Sequence, residues 1–191
     1  MKYNFFSTKV STLSLLLTLS ACANLPSHLI VSPDIMVTPA VSYQNKQAQL
    51  SVIDMRTTNH VVQILRDGEA ATLLSAQESL DQTIEKKLST HWKKQGLTID
   101  SNAINNIDVA IEKAVISVNQ QTMEYKVQTE IVLKVTIENG KQTLTITFQN
   151  RGNSDGPLQA DIAVLERNFS QRLAKLLTQI LASEKITNFL K

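Results

Sequence analysis

The sequence predicts an α+β fold in which a mainly antiparallel sheet, including a three-stranded meander, is covered on one face by two amphipathic helices. Residues 123–138 alternate apolar and polar side chains, which is typical of a strand with one buried face. Two segments, 80–95 and 162–180, carry apolar residues at every third or fourth position, as amphipathic helices do. One apolar sheet face and two apolar helix stripes can bury each other, which favours a two-layer sandwich.

The meander is predicted from the turn and the strands that flank it. The pair Asn139-Gly140 favours a type I′ turn of two residues between residues 123–138 and 143–149. Such a turn would place apolar residues opposite each other throughout, as Val135 with Leu144, Leu133 with Ile146 and Ile131 with Phe148. In the preceding segment, "NIDVAIEKAVISVNQQ", the apolar parity changes midway. A β-bulge near Glu112-Lys113 would reconcile the two halves.

The remaining elements are predicted from shorter patterns. The segments "QAQLSVIDMR" and "HVVQILRDG" predict two strands, the second ending in a turn at Asp67-Gly68. Ser75 and Glu78 have the spacing of a capping box, which predicts the start of the first helix, and Gly96 ends that helix. Pro157 is predicted to lie in the first turn of the last helix.

The first 21 residues predict a secretory signal peptide. The basic leader "MKYNFFSTK" precedes an apolar segment, "VSTLSLLLTLSA", of roughly ten to twelve residues. This segment is shorter than the ~20 apolar residues that a membrane-spanning helix requires. It ends in "LSAC", which resembles the bacterial lipobox and contains Cys22, the one cysteine of the chain. We therefore expect lipid attachment at Cys22, the alternative being an ordinary signal peptide with an unrelated cysteine.

Lipidation would define both the location and the organisation of the chain. Ala23, rather than an aspartate, follows Cys22, and by analogy with other lipoproteins this predicts the inner leaflet of the outer membrane, facing the periplasm. Residues 22–46 contain Pro26, Pro33 and Pro39 and predict an extended arm, with residues 28–32 as a candidate edge strand. If that strand docks, the free tether is residues 23–27. Residues 47–191 are predicted to form a single globular domain.

Charge and residue inventory exclude several classes of function. The chain has 19 basic and 17 acidic residues, and loss of Lys2 and Lys9 with the signal peptide leaves 17 of each. A near-zero balance lacks the clustered basic excess that binds nucleic acid. The three histidines, His28, His60 and His91, have no metal-ligand spacing, and no nucleophile has an oriented base beside it. We expect no metal, no cofactor and no enzymatic activity.

Two surfaces are candidates for partner binding. Asp54 and Arg56, two apart at a strand end, lie on the same side of the chain; they can form a structural clasp or contact a partner. The polar face of the meander is the other candidate, either simply solvated or a docking surface. It comprises Thr143, Thr145, Thr147, Glu124, Lys126, Glu130 and Lys134.

Taken together, these segments resemble the YajG family of bacterial lipoproteins. The resemblance rests on "LSAC", "IVSP", "SVIDMRT", "ILRDG", "KKQGLTI", the "NG" hairpin and the closing amphipathic helix. It implies an uncharacterised envelope lipoprotein and supplies no catalytic residues. We expect a non-enzymatic binding or accessory module of an envelope protein complex. The alternative is a carrier of a small lipid or glycan, and a hydrolase would require His60 or His91 to meet a serine and an acid.

Overall fold

The computed structural model of the protein describes residues 28–36, 38–44 and 46–190. The predicted signal peptide and Cys22 lie outside the described residues. Within them the chain forms eight strands and three helices: β1 His28–Leu29, β2 Gln47–Asp54, β3 His60–Leu65, β4 Thr72–Ala76, α1 Leu80–Lys94, β5 Thr98–Ile99, β6 Asn106–Gln120, β7 Glu124–Glu138, β8 Thr143–Pro157, α2 Ile162–Leu181 and α3 Glu184–Leu190. The α+β class is confirmed.

The long strand β6 organises the sheet. One of its edges pairs with β7 in antiparallel fashion along nearly the whole strand. The other edge is shared, since β2 lies parallel to the first half of β6 and β3 lies parallel to its second half. Outward from these strands, β4 and then β1 follow β3, and β5 follows β2. Within the described residues β8 pairs with β7 alone and so forms a long edge strand. The sheet is therefore mixed, with parallel pairings that were not predicted from the sequence.

The bulge in the meander is confirmed, but the predicted hairpin register is wrong. The β6–β7 register shifts between Ile111 and Lys113, as the change in apolar parity indicates. In the next hairpin Leu133 lies opposite Phe148 and Val135 opposite Ile146, two residues away from the predicted pairs. The loop contains four residues, 139–142. The Asn139 side chain accepts hydrogen bonds from the amides of residues 141 and 142, which stabilises the wider loop.

The predicted starts of both long helices are also wrong. Ser75 belongs to β4, where its hydroxyl donates to the side chain of Asn59, and α1 begins after Ser79 without a side-chain cap. Pro157 is the last residue of β8. The carboxylate of Asp161 caps α2 by accepting from the amide of Ala163 at 2.8 Å.

The core lies between the helices and the inner face of the sheet. Helix α1 contacts β2, helix α2 contacts β7 and β8, and the two helices contact each other. The predicted stripes of both helices are buried, including Trp92 of α1 and Phe169 of α2. The odd-numbered apolar residues of β7 face them and are fully buried from Ile131 to Ile137. Apolar burial on this scale is the main source of stability in such a domain.

Candidate functional site

The predicted Asp54–Arg56 pair forms a clasp that joins three strands. The Arg56 side chain is only 8% exposed, and its Nη2 lies 2.7 Å from the Asp54 carboxylate. Its Nη1 donates to the carbonyl oxygens of His60 and Ala114, at 2.9 and 3.0 Å. Nε donates to the same carboxylate, and Nη2 also reaches the carbonyl of Asn59. All five guanidinium N–H groups therefore have acceptors within the protein.

The carboxylate of Asp54 is held ionised by this arrangement. Partial burial raises the pKa of Asp54, but hydrogen bonds from the Arg56 side chain and backbone, together with its positive charge, lower the pKa below the ordinary value. The clasp ties the end of β2 to the start of β3 and to the bulge region of β6. A partner could reach Asp54, whereas Arg56 has no donor left to offer.

The three histidines lie on three different elements. His28 is in β1, His60 begins β3 and His91 is in the last turn of α1. No cluster of three or more histidine, cysteine, aspartate or glutamate side chains suited to a metal ion occurs within the described residues. No helix in that part of the chain is long and apolar enough to cross a membrane.

His91 gives the fold a pH dependence near neutrality. Burial lowers the pKa of His91 below 6.5, Lys94 and Lys87 lower it further, and Asp34 opposes them. The neutral ring is favoured in the folded state, where Nδ1 lies 2.7 Å from the hydroxyl of Thr38. The neutral ring therefore contributes to the free energy of unfolding. That contribution is fully present above pH 6.5 and is lost as the pH falls through the folded-state pKa of His91.

We therefore expect the melting temperature to fall below pH 6.5, and His91→Gln to remove part of that fall. Lys94→Gln is the matched variant, because it removes one positive charge that lowers the pKa of His91. The folded-state pKa of His91 should then lie closer to 6.5, and the melting temperature should fall over a narrower pH range. Thermal melts from pH 7.5 to 5 test this, and identical profiles for the wild type and His91→Gln would contradict it.

The N-terminal arm docks on the domain along α2. The backbone amide of Ile30 donates to the Glu166 carboxylate at 2.7 Å, and that of Ser32 donates to the Ser170 hydroxyl at 3.2 Å. A further bond, from the amide of Gln77 to the carbonyl of Leu29, attaches the arm beside β4. The regular strand is limited to residues 28–29, yet the arm remains attached beyond it.

Side chains of the arm alternate between buried and exposed. Four of them, at positions 29, 31, 33 and 35, are buried on the domain, while those between them are exposed. Farther along, Gln95 at the end of α1 donates to the carbonyls of Pro39 and Leu181. Tyr43 is fully buried and its hydroxyl pairs with Thr187 of α3. The arm is thus part of the folded domain from its first described residues.

One half of β8 is an unpaired edge whose backbone groups can be assigned. In an antiparallel pair, residues that bond the neighbouring strand alternate with residues whose amide and carbonyl point away from it. Two hydrogen bonds extend the β7–β8 ladder beyond its ends. At one end the amide of Asn139 donates to the carbonyl of Gln142, and at the other the amide of Leu158 donates to the carbonyl of Met123. Even-numbered residues of β8 therefore bond to β7, and odd-numbered ones face the open edge.

Among the described parts of the chain, cover over that edge is limited to its second half. Arg172 of α2 donates to the side chain of Asn150 and approaches the outward carbonyl of Arg151. The first half, residues 143–149, reads "TLTITFQ" and contains no charge, proline or glycine. Natural proteins usually protect an open edge with charges, prolines or bulges, because an unprotected edge pairs with other strands. This segment therefore lacks the usual protection against pairing with another strand.

The charged part of the polar sheet face is held in internal pairs. Glu130 of β7 pairs with Lys113 of β6 at 2.6 Å and with Arg151 of β8 at 2.8 Å. The hydrogen bond from Lys113, followed by that from Arg151, holds the pKa of Glu130 below its ordinary value, against the effect of desolvation. The exposed side chains of Thr143 and Thr147 make no cross-strand hydrogen bond within the described residues. The candidate site is therefore the threonine-rich open edge of β8, residues 143–149.

Comparison with solved structures identifies similar folds. Protein XCC0632 from Xanthomonas campestris, a DUF330 protein, is 14% identical; the match covers 85% of this chain and 95% of that one, with a TM-score of 0.54. A protein from Helicobacter pylori, described as a neuraminyllactose-binding hemagglutinin homolog, is 10% identical over 85% and 96% of the two chains, with a TM-score of 0.47. At 14% identity the likeness to the Xanthomonas protein concerns the fold alone.

A family model gives a more specific result. Residues 33–191 match a family described as "Uncharacterized lipoprotein". This match confirms the resemblance to the YajG family that the sequence motifs indicate. No curated protein matches the chain.

Proposed function

Because this chain belongs to a family of uncharacterized lipoproteins anchored in the cell envelope, we propose that it is a non-enzymatic binding module attached through Cys22. Its folded domain docks an envelope protein complex from the periplasmic side of the outer membrane. The open edge of β8 is the docking site, and it receives an extended strand of the partner. Backbone hydrogen bonds would supply the affinity, as they do in other cases of β-strand addition.

The observation that carries this proposal is the uncharged open edge at residues 143–149. Four successive outward-facing residues, Thr143, Thr145, Thr147 and Gln149, leave their backbone amides and carbonyls without strand partners among the residues that the structure describes. Their neighbours Leu144, Ile146 and Phe148 are partly buried and hold the strand in place. A rigid strand with free backbone groups and no protective charge is suited to permanent pairing with another strand.

The alternative function, carriage of a lipid or glycan, would require an apolar cavity between helices and sheet. In the described residues that space is filled, since Trp92, Phe169 and Leu133 are buried there at 0 to 1% exposure. The larger clefts lie on the surface, for example between Ile30 and Lys86. These features favour docking over carriage.

A single proline tests the docking edge. Thr147→Pro removes an outward-facing amide while leaving the β7–β8 ladder intact, since proline is tolerated at such edge positions. We expect in-cell crosslinking and affinity purification of the tagged lipoprotein to recover one envelope protein in near-stoichiometric amount. Thr147→Pro should reduce this recovery at least tenfold, as should Cys22→Ala, which removes the anchor.

Thr147→Ala is the matched control, because it removes the same side chain and keeps the amide. It should bind as the wild type does, and both variants at position 147 should melt close to the wild-type temperature. Equal partner recovery with Thr147→Pro would show that the edge is not the docking site.

A further inference from the structure

Two exposed apolar side chains project together from one end of the domain. Met123, in the turn between β6 and β7, is 71% exposed, and Leu158, just after β8, is 62% exposed. The amide of Leu158 donates to the carbonyl of Met123 at 2.9 Å, so the two turns are directly joined. We call this pair, Met123 and Leu158, the apolar tip.

The apolar tip is fixed from below by a buried glutamine. Gln120, at the end of β6, donates through Nε2 to the carbonyls of Leu158 at 2.6 Å and Gln121 at 2.8 Å. Its Oε1 accepts from the amide of Ala160 at 3.1 Å. One amide side chain therefore holds both turns, and the tip is a rigid feature of the surface.

Leu158 adopts a backbone conformation that favours glycine. Its φ is +64°, and it is the one non-glycine residue with positive φ in the described residues. A leucine there is strained, whereas glycine would adopt the conformation freely. The leucine side chain gains little packing in return, because it is mostly exposed. Strain of this kind is often retained where the side chain has a function.

The arm begins about five residues along the sheet from the level of Gln120 and runs away from the apolar tip, since His28 lies opposite Ser75 of β4, which lies opposite His60 of β3. The arm and α2 run in the same direction, because Ile30 and Ser32 bond to Glu166 and Ser170, one helical turn apart. Two residues of extended chain match one turn of helix in length, so His28 lies near the level of Ile162, the first residue of α2. Leu158 comes four residues before Ile162. Only residues 23–27 separate His28 from Cys22, a reach of about 20 Å.

From this position we propose that the apolar tip rests in the surface of the membrane that holds the lipid anchor. The inference depends on Cys22 carrying that anchor, as in the proposed function. The charged residues in or beside the two turns are mainly acidic: Asp67, Glu69, Glu124, Asp155 and Asp161, against Arg66 and Lys126. Contact therefore depends on burial of Met123 and Leu158 among the acyl chains, and the preferred surface is zwitterionic.

The test uses the full lipoprotein reconstituted in vesicles. With Cys22 acylated, a cysteine introduced by Met123→Cys or Leu158→Cys is the one free thiol and can carry an environment-sensitive dye. We expect quenchers on the lipid acyl chains to reduce its fluorescence at least twofold in phosphatidylethanolamine–phosphatidylcholine vesicles. Quenching should weaken as phosphatidylglycerol is added.

Met36→Cys is the matched control. Met36 is 89% exposed but lies six residues farther along the arm than Ile30, away from the anchored end. Its dye should remain unquenched. In addition, Leu158→Gly should melt at the wild-type temperature or above, while quenching at position 123 decreases.

The outcomes separate this inference from the proposed function. Equal quenching at positions 36 and 123, or none at 123 in a protein whose lipid is verified by mass, overturns the membrane contact alone. A mature protein without lipid on Cys22 overturns both. Loss of partner recovery in Thr147→Pro concerns only the β8 edge and does not affect the dye measurement.

Discussion

Replacing Arg56 by alanine is expected to lower the free energy of unfolding by about 3 kcal/mol, because it breaks a largely buried ion pair. The change leaves the Asp54 carboxylate without its cation and removes the donors to the carbonyls of His60 and Ala114. Urea denaturation at pH 7 measures the effect. Met55→Ala is the matched control: Met55 lies between the two clasp residues and is largely exposed, so its change should stay within about 0.5 kcal/mol.

The same variant separates the two interpretations of the clasp. If Arg56→Ala keeps wild-type stability but loses the crosslinked partner, Arg56 is a binding residue and the structural interpretation is wrong. The dependence of stability on pH in the acid range gives a second criterion. The lowered pKa of Asp54 gives the wild type stability that is present above pH 3.8 and is lost as the pH falls through the folded-state pKa. Arg56→Ala should lose most of that acid dependence.

Local patterns were sufficient to predict most of the meander. Apolar parity identifies which face of β6 and β7 is buried, and its change near Glu112 locates the bulge, because each residue added to a strand reverses the face. The register of the β7–β8 hairpin was not predictable in the same way. Pairing shifted by two residues preserves parity, so the apolar pattern fits both registers. The choice depends on the Asn139 side chain and its two amide donors.

Pairings between distant segments could not be predicted from the sequence. Strand β4 is five residues long and precedes a helix, and its Ser75 imitates a capping residue. The parallel pairing of β2 and β3 with one edge of β6 also has no signature in the local sequence of any of these strands. The open edge at residues 143–149 is a property of this topology: the sequence predicted the polar face of the meander, but not that β8 would lie at the edge.

The candidate residues show the same division. The spacing of Asp54 and Arg56 correctly predicted that they could pair, because alternate residues of a strand share a side. The remaining N–H groups of the Arg56 guanidinium donate to the backbone carbonyls of Asn59, His60 and Ala114. The last is 58 positions away from Arg56, so spacing could not indicate that the arginine would be saturated. Partner binding at Asp54 and Arg56 and lipid attachment at Cys22 remain predictions.

Leu29→Ala is expected to release the arm from the domain at a cost of about 3 kcal/mol, since a fully buried leucine is truncated. Leu29 is 1% exposed and is the first buried residue of the described arm. Its neighbour Ile30 is 62% exposed, so Ile30→Ala is a matched control that should change stability by less than about 0.5 kcal/mol. Hydrogen exchange at the amides of Ile30 and Ser32 reports release directly, because both lose acceptors on α2 when the arm detaches.

Release of the arm would also change how the domain meets the membrane. With the arm docked, the free tether is residues 23–27, about 20 Å long, and the anchored end stays close to the lipid. With the arm released as far as Pro39, the tether would more than double in length, and the concentration of the domain at the membrane surface would fall. Quenching at Met123→Cys should then decrease in Leu29→Ala and persist in Ile30→Ala. Unchanged exchange and quenching in Leu29→Ala would mean that the bonds to Glu166 and Ser170 suffice to hold the arm.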